Sequence, residues 1–218
     1  MGSANVSNCH IHDTNSFGIK ALIGNPTISN CYIHDLDDFG IKSTADNPNI
    51  TGNIVVDFKN YGIYVGASTN ATVTHNTIEG SDGLATGLYL SSVYGQVTRN
   101  DISWCSCGVQ IGYECLGVNI SDNNIYDNFD CGLDGGSQVQ LPVSGNWWGH
   151  SDGPAPCGFG NKVIGDVDFT PPLIQESYGA GGGEAPDGEW AKTSREYSAS
   201  QGNFTLYGKV YHLSLIHI

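Results

Sequence analysis

Residues 8–20 read NCHIHDTNSFGIK and residues 30–42 read NCYIHDLDDFGIK, so nine of the thirteen letters agree at an offset of 22. Because His, Asp, Cys and Lys all recur, the stretch is either a duplicated chemical site or one turn of a repeating structure. Weaker copies follow at intervals of 22, 22, 23, 24, 23 and 23 residues, and they begin at Val6, Ile28, Ile50, Val73, Val97, Ile120 and Val143. A sustained period near 23 is typical of a solenoid, in which each repeat forms one coil.

The spacing within each copy predicts three short strands per coil. A second apolar residue comes five positions after the first, and a Gly-apolar-variable triplet follows about seven residues later. Alternation along a strand sends every second side chain to the opposite face. We therefore expect two inward columns, Ile11, Ile33, Val55, Ile78, Ile102 and Ile125 in one, and Ile19, Ile41, Ile63, Leu88, Val109 and Leu133 in the other.

An asparagine stands three residues after the start of each of the last five copies. Side-chain amides stacked one strand spacing apart can hydrogen-bond along their column. Cys9 and Cys31 hold the same place in the first two copies, which is consistent with a small buried polar corner. The predicted ladder consists of Asn53, Asn76, Asn100, Asn123 and Asn146.

These motifs resemble a known family. VTHNTI, VTRNDI and ISDNNI, with YGIYV, TGLYL and CGLDG, resemble the right-handed parallel β-helix repeats of pectin lyase-like proteins. GNWWGHSDGP (145–154), running on to GDVDFTPPL (165–173), resembles the segment that closes many bacterial and archaeal surface β-helix proteins. The resemblance covers about residues 4–173. It implies an all-β, single-stranded right-handed parallel β-helix of about six to seven coils, but a fold does not imply an activity.

The pattern divides the chain into four parts. Residues 1–143 are the β-helix repeats, and 144–173 are the last coil and its C-terminal cap, where Trp147 and Trp148 supply aromatic area over the open core. Residues 174–189 are a glycine-rich linker. Residues 190–218 are a truncated β module or a non-native tail, because the closing LSLIHI resembles translated sequencing-adapter sequence. No cover precedes Val6, so we expect further coils upstream.

Charge and cysteine content limit the compartment and the partners. The net charge of −14, from 22 acidic and 8 basic residues, argues against nucleic acid and anionic membrane surfaces. No apolar stretch is long enough to insert into a membrane. Seven cysteines without a CxxC pair favour an extracellular or cell-surface location. The stacked pairs Cys107–Cys131 and Cys9–Cys31 are either disulfides or buried thiols. We expect a monomer.

The outward position of the Gly-apolar-variable strand predicts a ligand groove. In the polysaccharide lyases and hydrolases that this fold resembles, substrate lies along the equivalent sheet. Stacked lysines repel each other, and an anionic sugar between them would relieve that repulsion; adjacent tyrosines offer flat surfaces to sugar rings. The alternative is an ordinary solvated strand face. The predicted polysaccharide-binding residues are Lys20, Lys42, Tyr64, Tyr89 and Gln110, with Asp134 next in the column.

Two further clusters are candidates for chemistry. His12, His34, Asp13 and Asp35, with His10 close by, could hold a divalent metal ion, although a solenoid also copies its surface residues together with its core. The loop carboxylates could serve glycoside hydrolysis or bind Ca²⁺, and their bland interpretation is solubility. The catalytic candidates are Asp127, Asp130 and Asp134.

Three functions remain open. The first is a non-catalytic module that binds polysaccharide or cell-surface carbohydrate. The second is a polysaccharide lyase or glycoside hydrolase. This function is disfavoured because the sequence lacks the aspartate and histidine motifs of polygalacturonases and lacks the groove arginine of pectate lyases. The third is a structural spacer or adhesin stalk, for which the stacked architecture alone suffices.

Overall fold

The computed structural model describes residues 4–115, 117–138 and 140–182, together with the backbone of three short strands after residue 203. All regular elements in these residues are strands. This confirms the all-β parallel solenoid, which has about seven coils. Within the same residues there is no helix that could cross a membrane.

Sixteen strands build the shaft. They are β1 (Asn5–Ser7), β2 (His10–Thr14), β3 (Ile19–Ala21), β4 (Thr27–Ser29), β5 (Tyr32–Leu36), β6 (Phe39–Ser43), β7 (Asn49–Thr51), β8 (Ile54–Val56), β9 (Tyr61–Thr74), β10 (Thr77–Glu79), β11 (Thr86–Thr98), β12 (Asp101–Ser103), β13 (Cys107–Ile111), β14 (Gly117–Ser121), β15 (Asn124–Tyr126) and β16 (Cys131–Asp134). Six more follow: β17 (Leu141–Pro142), β18 (Val163–Ile164), β19 (Val167–Asp168), β20 (Phe204–Leu206), β21 (Lys209–Tyr211) and β22 (Leu215–His217).

Each shaft strand pairs in parallel with the strand one coil away. β2, β5, β8, β10, β12 and β15 form one sheet. The other two strand series belong to one larger sheet because β9 and β11 run without interruption from the third strand of one coil into the first strand of the next. Both inward columns stack in the register that the spacing predicts, with Ile33 between Ile11 and Val55 and Leu88 between Ile63 and Val109.

The glycine of the repeated triplet is required by close approach between coils. A Cβ built on Gly62 would lie 2.5 Å from Cγ2 of Ile78 and 2.8 Å from the carbonyl oxygen of Gly87 in the next coil. Atoms do not approach so closely without displacing one another. The glycine therefore lets the corner between two strands pack directly on the corner of the neighbouring coil.

The five asparagines lie in one buried file. Asn76 Nδ2 donates to Asn100 Oδ1 at 3.0 Å, and Asn100 Nδ2 donates to Asn123 Oδ1 at 2.9 Å. Each amide oxygen also accepts from the backbone N–H of the preceding ladder residue, as Asn100 Oδ1 does from Asn76 at 3.0 Å. The file continues in the place of Cys31, whose N–H donates to Asn53 Oδ1 at 3.0 Å. The ladder amides thus hydrogen-bond backbone N–H and carbonyl groups that would otherwise be buried without partners.

At the C-terminal end, Trp148 is fully buried in the core, whereas Trp147 is half-buried. β18 continues the sheet by pairing with β16, and β19 pairs with β17. A disulfide links Cys107 to Cys131 in the adjacent coil, with the Cα atoms 4.6 Å apart. Cys9 and Cys31 are buried free thiols, so the structure bridges one of the two predicted pairs.

After Leu173 the chain turns back along the shaft. Ser177 donates its N–H to Asn124 Oδ1 at 2.7 Å, Gly181 donates to the Arg99 carbonyl at 2.9 Å, and Gly182 donates to Thr77 Oγ1 at 2.8 Å. We call residues 174–182 the strap. Further on, β20, β21 and β22 pair antiparallel with β3, β2 and β1 of the first coil. The division into a linker and a separate tail stays a prediction.

Candidate functional site

The predicted groove residues share one outer column of the larger sheet. Lys20 pairs in register with Lys42, Lys42 with Tyr64, and Tyr64 with Tyr89. Gln110 and then Asp134 continue the column. All of these side chains are partly exposed. The structure therefore brings the predicted set together, while its role in binding stays a prediction.

A second column of rings, not predicted from the sequence, lies beside the first. The rings of Phe17 and Phe39 are 5.1 Å apart, and those of Phe39 and Tyr61 are also 5.1 Å apart. The recurrence of Phe in the quoted stretch, directly before Gly, was the signal that could have shown it. We call the combined surface the aromatic face; it comprises Phe17, Lys20, Phe39, Lys42, Tyr61, Tyr64 and Tyr89.

The two lysines of the aromatic face lie over its rings. Lys42 Nζ is 4.5 Å from the ring centroid of Phe39 and 4.9 Å from that of Tyr64. Lys20 Nζ is 4.9 Å from the ring centroid of Phe17. Ring faces attract cations, so these contacts offset part of the repulsion between the stacked ammonium groups. The ring contacts therefore reduce the repulsion that a bound anion would also relieve, and the lysine side chains remain partly exposed.

The tyrosines form a platform of stacked rings next to the lysines. Tyr64 and Tyr89 stack with centroids 5.2 Å apart and planes 16° from parallel, and Tyr61 lies 5.0 Å from Tyr89 at 58°. Burial is the main cause that raises the pKa of Tyr61 and of Tyr64 above the usual tyrosine value, and the neighbouring Tyr89 is the next. Both phenols therefore stay neutral at physiological pH and retain a hydroxyl that can donate a hydrogen bond.

Glycines make room for this platform. A Cβ on Gly66 would lie 3.0 Å from the Tyr64 ring, and a Cβ on Gly112 would overlap the Tyr89 hydroxyl. The two rings therefore lie along their strands rather than standing away from them. The position of the two rings therefore depends on the glycines next to them as well as on the tyrosines themselves.

Three imidazoles cluster on a different sheet, the outer face of β2 and β5. His10 Nε2 lies 2.7 Å from His34 Nε2, and the rings of His12 and His34 stack 5.0 Å apart with planes 4° from parallel. Asp13 accepts from Nδ1 of His12 at 3.0 Å, and Asp35 accepts from Nδ1 of His34 at 2.7 Å. The four metal candidates are thus two repeated His–Asp pairs, and His10 joins them.

Burial is the main cause that lowers the pKa of His10 to about 4, and the charges of His34 and His12 contribute less. The folded protein thus holds His10 neutral at pH values where an unfolded chain, with an ordinary histidine pKa near 6.5, binds a proton. The unfolded state then binds more protons between about pH 6.5 and 4, so the free energy of unfolding decreases as the pH is lowered through that window.

We expect this acid sensitivity to shrink in His10→Phe, which keeps a ring on Tyr32. Urea midpoints at pH 7 and pH 4.5 measure the difference in stability. An unchanged difference would contradict the assignment.

The carboxylate candidates have separate local surroundings, and their catalytic role stays a prediction. Asp130 accepts a hydrogen bond from Ser106 Oγ at 2.5 Å, and Asp134 accepts from the Gly136 N–H at 2.9 Å. Asp127 lies in the turn after β15, with a left-handed backbone at φ 51°. No hydrogen bond joins these three carboxylates within the described residues, and no group of three or more His, Cys, Asp or Glu side chains in that part of the chain could hold a metal ion.

A cleft of about 620 Å³ separates the strap from the shaft. Asp101 and Trp147 line it on the shaft side, and Glu176 and Tyr178 line it on the strap side. Sequence reasoning gave this cleft no role because it placed a linker there. Trp147 thus belongs to the cleft wall and Trp148 to the core.

Residues 2–91 match a family model described as a right handed beta helix region. With the parallel solenoid of the structure, the match confirms the resemblance to right-handed β-helix repeats. The match ends before residues 145–173, so it does not extend to the predicted closing segment. No curated protein and no solved structure matches the chain.

Proposed function

We propose that the chain is a non-catalytic, exported β-helix module that binds polysaccharide along the aromatic face. A single observation carries the proposal: adjacent Lys20 and Lys42 continue in register into the stacked rings of Tyr64 and Tyr89. Stacked rings give sugar faces an apolar contact, and the ammonium groups supply the charge that a uronate carboxylate requires. A uronic-acid polysaccharide is therefore the favoured ligand class.

The charge distribution supports the same ligand. The chain has only 8 basic residues against 22 acidic ones, and two of the basic residues occupy neighbouring positions on one outer strand column. A positive patch on a negative molecule directs an anionic chain to that patch and away from the remaining surface. The disulfide between Cys107 and Cys131 supports export, because such bonds persist in oxidising compartments.

The test is titration calorimetry with polygalacturonate, alginate and a neutral cello-oligosaccharide at low salt. Tyr64→Ala is expected to weaken binding of both uronates by about tenfold or more, since it removes one of the two parallel stacked rings. Tyr113→Ala is the matched control, because Tyr113 is an exposed tyrosine, 66% accessible, outside the aromatic face. Equal losses in the two variants would contradict the proposed surface.

Lys42→Met separates charge from shape. The substitution keeps an unbranched side chain over the Phe39 ring but removes the ammonium group. Uronate affinity should fall about tenfold and lose part of its salt dependence, while any affinity for the neutral oligosaccharide should not change. Binding that is insensitive to this variant would exclude recognition of the carboxylate by Lys42.

Product assays distinguish the alternatives. Release of reducing ends or of unsaturated uronate would support the hydrolase or lyase, with Asp127, Asp130 and Asp134 as its candidate residues. Absence of binding to all three glycans would leave the structural spacer, which needs no ligand.

A further inference from the structure

The cleft between the strap and the shaft is separate from the aromatic face, and the proposed function makes no use of it. We propose that this cleft binds a cationic amino sugar, with a sugar ring against Trp147 and its ammonium group between the carboxylates of Asp101 and Glu176. The inference rests on how the cleft is built, on its charge and on the groups that line it.

The cleft exists because the chain is fixed to the shaft on both sides of it. Just before the strap, the Leu173 N–H donates to the Asn146 carbonyl at 2.9 Å. At the far end of the strap, a Cβ on Gly182 would lie 2.8 Å from the Asn53 carbonyl oxygen, an approach that only glycine permits. Residues 174–180 span the distance between these contacts and form the outer wall. The enclosed volume of about 620 Å³ lies within the range of about 300–1,000 Å³ that is usual for small-molecule sites.

One buried side chain links the two walls of the cleft. Asn124 Oδ1 accepts from the Ser177 N–H of the strap at 2.7 Å, and Asn124 Nδ2 donates to Asp101 Oδ2 of the shaft at 3.3 Å. Asn124 is only 4% exposed, so its surroundings hold it in place. It therefore positions the Asp101 carboxylate and the strap relative to each other before any ligand binds.

The charge of the cleft favours a cation. Among the described residues that line it, the charged ones are Asp101 on the shaft and Glu176 on the strap, and both are acidic. Both carboxylates also act on one phenol: burial is the main cause that raises the pKa of Tyr126 to about 12, Asp101 is the next, and Glu176 contributes less. Their negative potentials therefore overlap, and an ammonium group between them would relieve the repulsion.

The rings and amides of the cleft favour a sugar over a simple amine. Trp147 is half-buried, and its carbonyl accepts from the Ile125 N–H at 2.8 Å, so its backbone is fixed in the sheet. Tyr178 is fully exposed at the rim. Aromatic rings bind the apolar face of a sugar and attract an ammonium group, while the amides of Asn124 and Gln175 can exchange hydrogen bonds with hydroxyls. An alkylammonium ion has no hydroxyls for these amides.

Charge also separates this cleft from the aromatic face. The lysines of the aromatic face suit a uronate, whereas the carboxylates of the cleft repel one. The two surfaces therefore select sugars of opposite charge, and each can bind its ligand without the other.

The experiment is calorimetric titration of the full chain with a glucosamine disaccharide at pH 6, where its amines carry protons. The N-acetylated disaccharide is the neutral control, and methylammonium is the control for a simple amine. We expect one cationic disaccharide per chain and at least about fivefold weaker binding of both controls. The indole NMR signal of Trp147, assigned with Trp147→Phe, should shift on titration. Equal affinity for either control, or an unshifted Trp147 signal, would overturn the proposal.

Glu176→Gln should weaken binding of the cationic disaccharide by about fivefold, because it keeps the shape of the side chain and removes one of the two charges. Glu176 is exposed, so the fold does not depend on it. Glu114→Gln is the matched control, since Glu114 is also exposed but lies outside the cleft. Equal losses in the two variants would mean that the disaccharide is attracted by the net charge alone and would overturn the site.

Polygalacturonate, the probe of the aromatic face, keeps the two proposals distinguishable. It should leave the Trp147 signal unshifted whether or not it binds the chain, because the cleft carboxylates repel it. A Trp147 shift with polygalacturonate would contradict the selectivity for cations. Absence of uronate binding would contradict the proposed function and leave the cleft proposal intact.

Discussion

Replacing Asn100 with alanine is expected to lower the free energy of unfolding by about 3–5 kcal/mol, because it removes the middle of the amide ladder. Asn100 Nδ2 donates to the Val73 carbonyl and to Asn123 Oδ1, both at 2.9 Å. Its Oδ1 accepts from both nitrogens of Asn76 at 3.0 Å. The site is fully buried, and each polar group left without a partner there costs about 1–3 kcal/mol. Urea unfolding followed by circular dichroism measures the loss.

Two further variants make this result specific. Asn60→Ala removes an exposed amide that makes one hydrogen bond, 3.0 Å from Asp38 Oδ1, and should change stability by less than about 0.5 kcal/mol. Asn100→Asp keeps the shape but replaces the donor by an oxygen that faces three acceptors, the carbonyls of Val73 and Thr98 and Oδ1 of Asn123, so it should be destabilising as well. If Asn100→Ala and Asn60→Ala unfold at the same urea concentration, the ladder does not contribute as we describe.

The ladder and the core columns could be predicted because, in a solenoid, the length of the sequence repeat sets which residues of neighbouring coils pair. Each coil pairs with the one before it, so residues that are one repeat apart must stack, whatever their identity. Ile28 and Ile50 therefore meet in the structure as their separation of 22 requires. This argument needs no knowledge of loops or side-chain torsions.

The aromatic face could be predicted only in part, for the opposite reason. Phe17 and Phe39 lie outside the Gly-apolar-variable triplet, at corners where the direction of a side chain depends on the local backbone. Gly66 leaves space for the Tyr64 ring two residues away on the same strand, and Gly112 leaves space for the Tyr89 ring of the preceding coil. Sequence spacing fixes which residues stack, but it does not fix how far a ring leans.

The strap shows a second limit of composition. Its glycines predict a linker, and the structure adds that Gly181 and Gly182 donate hydrogen bonds to the shaft. One acceptor, the Arg99 carbonyl, belongs to a residue with a left-handed φ of 56°. A glycine can approach such a carbonyl closely because it has no side chain. Composition alone cannot distinguish a glycine that gives flexibility from one that permits contact.

Trp148→Ala is expected to have an effect of similar size, about 3–5 kcal/mol. Trp148 is among the largest fully buried side chains, and it packs on the strand that begins at Cys131: a Cβ on Gly132 would lie 3.1 Å from its ring. Removing the indole leaves a cavity at the end of the stack, where neighbouring coils cannot fill it from both sides. The melting temperature and the urea midpoint of the purified protein measure the loss.

The neighbouring tryptophan supplies the control for this prediction. Trp147 is half-buried against the cleft beside the strap, so Trp147→Ala should cost clearly less than Trp148→Ala. Trp148→Phe should keep most of the stability, because the Trp148 Nε1–H is buried without a hydrogen-bond partner and its loss leaves no polar group unsatisfied. An order in which Trp147→Ala is the most damaging of the three would mean that the strap, and not the indole in the core, closes this end of the solenoid.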